Sequence, residues 1–409
     1  MWERFCGPQP ALRREQPHWL ALGALALVSV LVLLLSRSES GESFAQPCAS
    51  ALGDAPHALD MRGASVSFAA IGDWGLDAAP EHEDGPRDDW DASANAGLAG
   101  ALGRLASRRA IDWVVSVGDN FYQYGVRSAT DARWRTSFSD LFGRPTLPLR
   151  WYAMLGNHDY KANLPPRARA AEGVLAQLEH TWSAGNAGAQ WCMPSANYTL
   201  LARARDFDLA LVVFDSQALV RKDPDDAAAY DDEGAPGVVP GVKAQLAWLE
   251  AELCGLRDAA RARARPLWLL TAAHHFVVSA GSYIRAGVLQ EQVMREHVLP
   301  LLHRCGVCVH LHGHDHVTQA IELREDADEG AGGATTLQLG VGSAGKTNGD
   351  VRDASQATLD ALHGPGRFAL HLATKTPALA LLRATAHELR VELLDQTDVA
   401  IFARVLRHG

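Results

Sequence analysis

An α/β fold with mixed sheets and helices on the outside is predicted by two observations along the 409-residue chain. Short apolar, β-branched runs alternate with longer helical stretches through the middle, and closely spaced strands follow near the C-terminus. A third observation sets the N-terminus apart. Residues 19–36 (WLALGALALVSVLVLLLS) carry no charge and at ~1.5 Å per residue span about 27 Å, enough to cross a membrane. Arg4, Arg13 and Arg14 precede that run, so the positive-inside tendency places residues 1–18 in the cytosol and the body in the lumen or outside. A retained signal-anchor and a signal peptide cleaved between Ser36 and Ala49 both fit the run.

Residues 37–64 read as a polar linker and residues 65–409 as the folded domain. Strands are expected at Val66 to Ile71, Trp113 to Val117, Leu149 to Leu155, Leu209 to Phe214, Leu267 to Ala272 and Val307 to Leu311. Helices are expected at Ala92 to Ser107 and Val242 to Leu256. RFALHLA, ALALLRA, ELRVELL and AIFARVL, between Phe368 and Leu406, read as antiparallel strands. The acidic segments 80–91, 222–241 and 324–334 read as solvated loops.

A hydrophobic fraction of 47% with 21% charged residues is that of a globular protein, not of a disordered, collagenous or coiled-coil one. The net charge of −10 leaves no basic surplus for a phosphate backbone, so a nucleic-acid partner is not expected. Six cysteines are too few for a disulfide scaffold. The five beyond the apolar run (Cys48, Cys192, Cys254, Cys305, Cys308) allow at most two bridges and leave one thiol. Cys308 opens the run CVHL and reads as a buried strand cysteine rather than the redox partner of Cys305. Asn197-Tyr198-Thr199 is the one glycosylation sequon, meaningful only in a lumenal body.

The chemistry lies at the strand ends. Five strands run directly into polar residues: IGDWG, VGDNFY, LGNHDY, AAHH and LHGHDH. The C-terminal ends of parallel strands line the natural crevice of an α/β sheet, so Asp73, Asp119, Asn157, His274, His314 and His316 are candidates for one site. Singly, such an aspartate is a cap or turn residue and such a histidine a satisfied core residue. Together they would leave costly unpaired polar groups unless a metal pair organises them. Carboxylate and imidazole donors suit Fe, Mn or Zn rather than Ca, and a bridging carboxylate holds two ions about 3.5–4 Å apart.

At these residues the chain resembles the calcineurin-like metallophosphoesterases, and among them the purple acid phosphatases of the animal, tartrate-resistant type. The motifs GDWG, GDNFY, GNHDY, AAHH and GHDH carry the resemblance, with QLAWLEAEL, WLLTAAH and the NYT segment, from about residue 65 onward. It implies a four-layer α/β/β/α sandwich of two mixed sheets flanked by helices. It implies further a phosphomonoester hydrolase with an Fe(III) ion and a divalent Fe, Zn or Mn ion. Asp73, Asp119, Tyr122 and His316 match the ferric ligands, and Asn157, His274 and His314, with Asp119 as bridge, match those of the second ion. Tyr122 sets the purple group apart, because its phenolate suits Fe(III) and produces the colour. Metal-held hydroxide would attack the phosphorus, with His158 as the phosphate-contacting residue and possible acid.

One departure concerns the leaving group. Tyr283 stands nine residues after His274, where the animal enzymes have a histidine, which leaves His275 and Tyr283 as alternative proton donors. Two rival functions compete with the hydrolase: a membrane-anchored scaffold on the same fold, which would be expected to lose ligands that are all present here, and a nucleotidase or protein phosphatase, against which Tyr122 argues.

Gly340 to Thr347 also spells a GxxxxGKT phosphate loop. Asn348, Gly349 and Asp350 are poor helix starters, and without a helix the loop cannot cradle a triphosphate.

Overall fold

The computed structural model describes residues 57–408 except 77–90, 144–146, 161–169, 187–188, 221–240, 286–291 and 326–333. Two sheets form its centre. The first runs β1 (His57–Asp60), β6 (Tyr198–Arg203), β7 (Asp208–Val213), β8 (Leu267–Ala272), β9 (Val309–His312), β11 (Thr335–Val341), β10 (Thr318–Arg324), β12 (Phe368–Thr374). The second runs β15 (Ala400–Arg407), β14 (Glu388–Asp395), β13 (Ala378–Ala384), β2 (Val66–Ile71), β3 (Trp113–Ser116), β4 (Arg150–Ala153), β5 (Trp191–Cys192). Both are mixed, with parallel runs β2-β3-β4-β5 and β7-β8-β9-β11 and antiparallel hairpins at the margins.

Strand alternation builds the layers. Phe68 and Ala70 of β2 face a core shared with Leu209, Leu211 and Val213 of β7 and Leu270 of β8, so the two sheets pack face to face. Ala69 and Ile71 point the other way, onto Leu98, Leu102 and Leu105 of helix α1 (Ala92–Ser107). That helix starts where the Asp91 carboxylate accepts the Ala94 N–H at 2.9 Å. Helix α2 (Ala170–His180) joins the same outer layer through Val174 and Ala176. On the far side, helices α3 (Val242–Ala262) and α4 (Leu299–Cys305) cover β7 and β8 with Leu249, Leu253 and Leu302. A short helix α5 (Gln356–His363) adds Leu359. The expected sandwich of helices, two sheets and helices is present.

The strand expectations hold to within one or two residues at each end. Two corrections and one refinement stand beside them. Residues 57–60, assigned to the linker, form an edge strand paired in parallel with β6. The four C-terminal strands are antiparallel as expected and divide between the sheets: β12 joins the first beside β10, while β13 to β15 extend the second. Asn197 is not available as a glycan acceptor, because its Oδ1 accepts the Asp215 N–H at 2.8 Å and its amide nitrogen is closed off from solvent.

The expected cytosolic segment 1–18, the apolar run 19–36 and most of the three acidic loops lie outside the described residues. Among the described residues no helix is long and apolar enough to cross a membrane.

Cys254 of α3 and Cys305 of α4 form a disulfide across 51 residues of sequence, and Cys192 is bonded in a second whose other half is outside the described residues. Cys308 keeps a thiol hydrogen-bonded to the Leu269 carbonyl, and burial pushes it up to about 12, so it is a structural cysteine. Closing a loop of 51 residues stabilises by about 4 kcal/mol in the chain-entropy view. The double substitution Cys254→Ala/Cys305→Ala is therefore expected to lower the urea midpoint markedly while leaving metal content unchanged. An unchanged midpoint would mean that the two thiols are unpaired in the purified protein.

Candidate metal centre

The strand ends meet at one seam. In the second sheet Ile71, Ser116 and Ala153 lie level across β2, β3 and β4, so the turns after them place Asp73, Asp119 and Asn157 side by side. In the first sheet Ala272 pairs with Leu311, which brings His274 together with His314 and His316 after β9. A hydrogen bond from Gly72 N–H to the Val341 carbonyl, 3.0 Å, links the two sheets here.

All seven predicted ligands form one connected cluster. The Tyr122 hydroxyl is 2.9 Å from Asp73 Oδ1, 2.9 Å from Asp119 Oδ2 and 3.4 Å from His316 Nε2. His316 Nε2 is 3.5 Å from Asp73 Oδ1. On the other side Asn157 Oδ1 is 3.1 Å from His274 Nε2 and 2.8 Å from His314 Nδ1. Asp119 touches both halves, since its Oδ1 lies 3.4 Å from His274 Nε2. Asp73, Asp119 and His274 offer atoms within 4.8 Å of one another. All but His316 are buried.

Three of these residues hold unfavourable backbone. Asp73, Asp119 and His314 have φ of 59°, 50° and 67°, in the left-handed region that side chains rarely occupy. Such strain persists only where surroundings over-determine it, and here hydrogen bonds do so. His314 N–H donates to Asp73 Oδ2 at 3.1 Å, and His158 N–H donates to Asp119 Oδ1 at 2.8 Å.

The donor set is short of positive charge. The Val117 carbonyl 2.9 Å from His274 Nδ1 can only accept, so Nδ1 carries a proton; Nε2 faces Asn157 Oδ1 and Asp119 Oδ1, both acceptors, and must be protonated as well or meet a cation. Tyr122 has one proton for two carboxylate oxygens at equal distance. Burial would raise Asp119, but His274 and His158 hold it well below the usual carboxylate range. Burial would lower His274, but Asp119 and Asp73 hold it up at about 9. Burial, then the two carboxylates, push the Tyr122 phenol well above its ordinary value. A cation among these atoms satisfies the lone pairs and reverses the field on the phenol. Carboxylate, phenol, amide oxygen and imidazole together fit a transition metal.

His158 stands at the edge of the cluster. Its Nδ1 is 2.8 Å from the Gln123 carbonyl, so Nε2, 3.9 Å from Asp119 Oδ2, is the nitrogen that faces the site. Of the alternative proton donors, His275 is buried behind His314 (ring centroids 4.3 Å apart) and bonded through Nδ1 to Ser216 Oγ at 2.9 Å. Tyr283 is partly exposed and stacks on the His314 ring at 5.0 Å.

Several supporting residues had no role assigned from the sequence. Asp159 accepts from Gly156 N–H (2.8 Å), Asn120 N–H (3.0 Å) and Gln177 Nε2 (2.8 Å), tying the GNHDY turn to the GDNFY turn. Asp315, inside GHDH, holds the loop bearing Tyr283 by accepting from Ser279 Oγ and Ser282 N–H. Asn348 Oδ1 lies 2.5 Å from His316 Nδ1 and so turns Nε2 into the site. Asp159 and Asp315 were signalled by their motifs; Asn348 had no local signal.

Comparison with known proteins agrees with this arrangement. Purple acid phosphatase 17 of Arabidopsis thaliana is 31% identical over 258 residues, 62% of this chain and 63% of that protein, so the match spans under two thirds of its length. Tartrate-resistant acid phosphatase type 5 of Homo sapiens is 27% identical over 269 residues, 65% of this chain and 72% of that one. GAP50, the anchor in the inner membrane complex of Plasmodium, superposes with a TM-score of 0.58 at 15% identity, covering 84% of this chain and 89% of its own. The purple acid phosphatase PPD1 from yellow lupin (Lupinus luteus) seeds gives 0.56 at 14%, covering 85% and 54%. At such identities these structures speak for the fold alone. The family match itself runs from residue 66 to residue 318, from the start of β2 to the start of β10. It encloses every strand end that contributes to the cluster, and on this ground the chain belongs to the calcineurin-like phosphoesterase family.

Proposed function

We propose that this protein is a phosphomonoester hydrolase of the acid phosphatase type, working with a binuclear centre of Fe(III) and a divalent Fe, Zn or Mn ion. The observation that carries the proposal is the Tyr122 hydroxyl seated 2.9 Å from both Asp73 and Asp119, a hard anionic donor set that suits Fe(III). Asp73, Tyr122 and His316 would hold one ion, Asn157, His274 and His314 the other, with Asp119 between them. When bound, such a pair supplies Lewis acidity at the phosphoryl oxygens and a water acidified enough to act at low pH.

The chain's own residues do the rest. His158, with Nδ1 fixed on the Gln123 carbonyl, offers Nε2 as the atom that gives a proton to a phosphate oxygen in acid. Tyr283 lies over His314 on the open side; burial, then Asp315, pushes its hydroxyl up to about 12, which suits hydrogen-bond donation to the leaving oxygen rather than release of a proton. His275 is too enclosed to reach a leaving group. With a net charge of −10, the field that attracts an anionic substrate would have to come from the centre itself.

The deciding experiment is metal analysis and a visible spectrum on the purified body, with para-nitrophenyl phosphate hydrolysis at acid pH in the presence of tartrate. Iron, colour and turnover are expected; a colourless, metal-free, inactive preparation would reject the reading. Tyr122→Phe should bleach the colour more than it lowers turnover, and unchanged absorbance in that variant would remove Tyr122 from the centre. A lumenal or extracellular placement, tethered or secreted, is proposed from residues 19–36 and is supported by the Cys254–Cys305 disulfide, a bond typical of oxidising compartments.

A further inference from the structure

The Gly340 to Thr347 segment has the letters of a phosphate loop but not its structure. No helix begins at Lys346 or Thr347; β11 ends at Val341 and the next helix is α5, from Gln356. The segment instead closes over one half of the metal centre. Gly345 N–H donates to the Asp73 carbonyl at 3.0 Å, and Ala344 N–H donates to the Gly72 carbonyl at 3.4 Å. Ser343 Oγ bonds Thr318 Oγ1 at 2.8 Å, which fixes the turn to β10. A Cβ on Gly342 would fall 3.0 Å from Asp73 Oδ2, so the backbone lies directly against that carboxylate. Past the loop, Asn348 holds His316.

Within this wall sits a lysine. Lys346 is only 5% exposed, and its Nζ lies 4.9 Å from the centroid of the Tyr122 ring. An ammonium over an aromatic face is attracted by the ring's electrons, and the attraction grows as water is excluded. Tyr122 is the residue whose oxygen faces Asp73, Asp119 and His316. A cation on its face therefore acts on the electrons that this oxygen would share with an ion.

We propose that Lys346 is a positioning residue that fixes the Tyr122 ring and lowers the donor strength of its oxygen toward the ion it would hold. The inference rests on the iron–tyrosine reading above and deepens it. Removing the charge raises the filled orbital of the phenolate, which brings it closer to the empty metal orbitals and shortens the gap that light must bridge.

The test is the visible band of the metal-loaded protein in a Lys346→Met and a Lys346→Arg variant, read beside the reduction potential of the coloured ion. In Lys346→Met the band should move to longer wavelength and the potential should fall. Lys346→Arg keeps a cation able to lie on the ring and should stay near the wild type. Should the methionine variant fail to fold, Lys346→Gln carries the same expectation. A wild-type band in the neutral variants overturns the proposal, and so does an arginine variant that shifts as far as the methionine one. Loss of metal from both neutral variants would also overturn it, since removing a neighbouring positive charge should not weaken the binding of a cation. A wild type that holds metal but shows no visible band removes the iron–tyrosine reading first, and the role of Lys346 with it.

Discussion

Asp119→Asn is expected to leave the fold in place, to cost the protein bound metal, and to lower kcat/KM on para-nitrophenyl phosphate by roughly 10³-fold or more. Asp119 is the carboxylate that reaches both halves of the cluster, with Oδ2 at Tyr122 and Oδ1 at His274. The amide of asparagine is nearly isosteric and can still accept the His158 N–H that Oδ1 now receives, so the local backbone keeps its support. What it lacks is the negative charge that would bind two cations at once. Metal-ion catalysis is worth several kcal/mol of transition-state stabilisation, and each ~1.4 kcal/mol is tenfold in rate. Metal content by elemental analysis and a steady-state assay on one preparation check both halves of the statement. A variant that keeps two ions and most of its rate would move the bridge to another residue.

Gly156→Ala should have an effect of similar kind from a position that carries no chemistry. A Cβ there would lie 2.2 Å from the Asp119 backbone nitrogen and 2.3 Å from its Oδ1, distances no side-chain rotation can relieve. Either the GNHDY turn or the GDNFY turn must move, at a cost of about 1–3 kcal/mol for overpacking. A displacement of about 1 Å in a positioned group can cost on the order of 10²-fold in rate. Gly255→Ala provides the control, because a Cβ at that place in α3 meets nothing within 4 Å and replaces a poor helix former by the best one. Loss of activity in the first variant with a silent second would show that close approach at the strand ends, and not glycine content, matters. A fully active Gly156→Ala protein would show that the turns can part without harm.

The legible part of this protein is the part governed by short-range pattern. β2, β8 and α1 have the ends that the sequence predicts, because each is an apolar run bounded by a cap or a turn. Six of the candidate ligands were visible because each follows a strand within a few residues, and Tyr122 was added by the family resemblance of GDNFY. Less legible was whatever depended on a partner far along the chain. Residues 57–60 look like linker in isolation, since a four-residue edge strand is specified by β6, some 140 residues away. The Asn197 sequon is defined by three adjacent residues, and only the fold brings in Asp215 to occupy its oxygen. His158 and Asp159 are neighbours in sequence, yet one turns to Gln123 and the other to the backbone of Asn120 and Gly156.

Local chemistry, readable in one dimension, determined the kinds of atom available: carboxylates, a phenol, an amide and imidazoles, each placed after an apolar run by a turn that admits glycine. Only packing of the two sheets decided that these atoms share one space, with Tyr122 between two aspartates and Asn157 between two histidines. The same packing decided the meaning of Lys346, whose motif suggested one chemistry and whose neighbours dictate another. The physical reason is that a side chain's nature is covalent and local, whereas its protonation, its hydrogen-bond partners and the charge it faces are set by groups that sequence distance does not bring near.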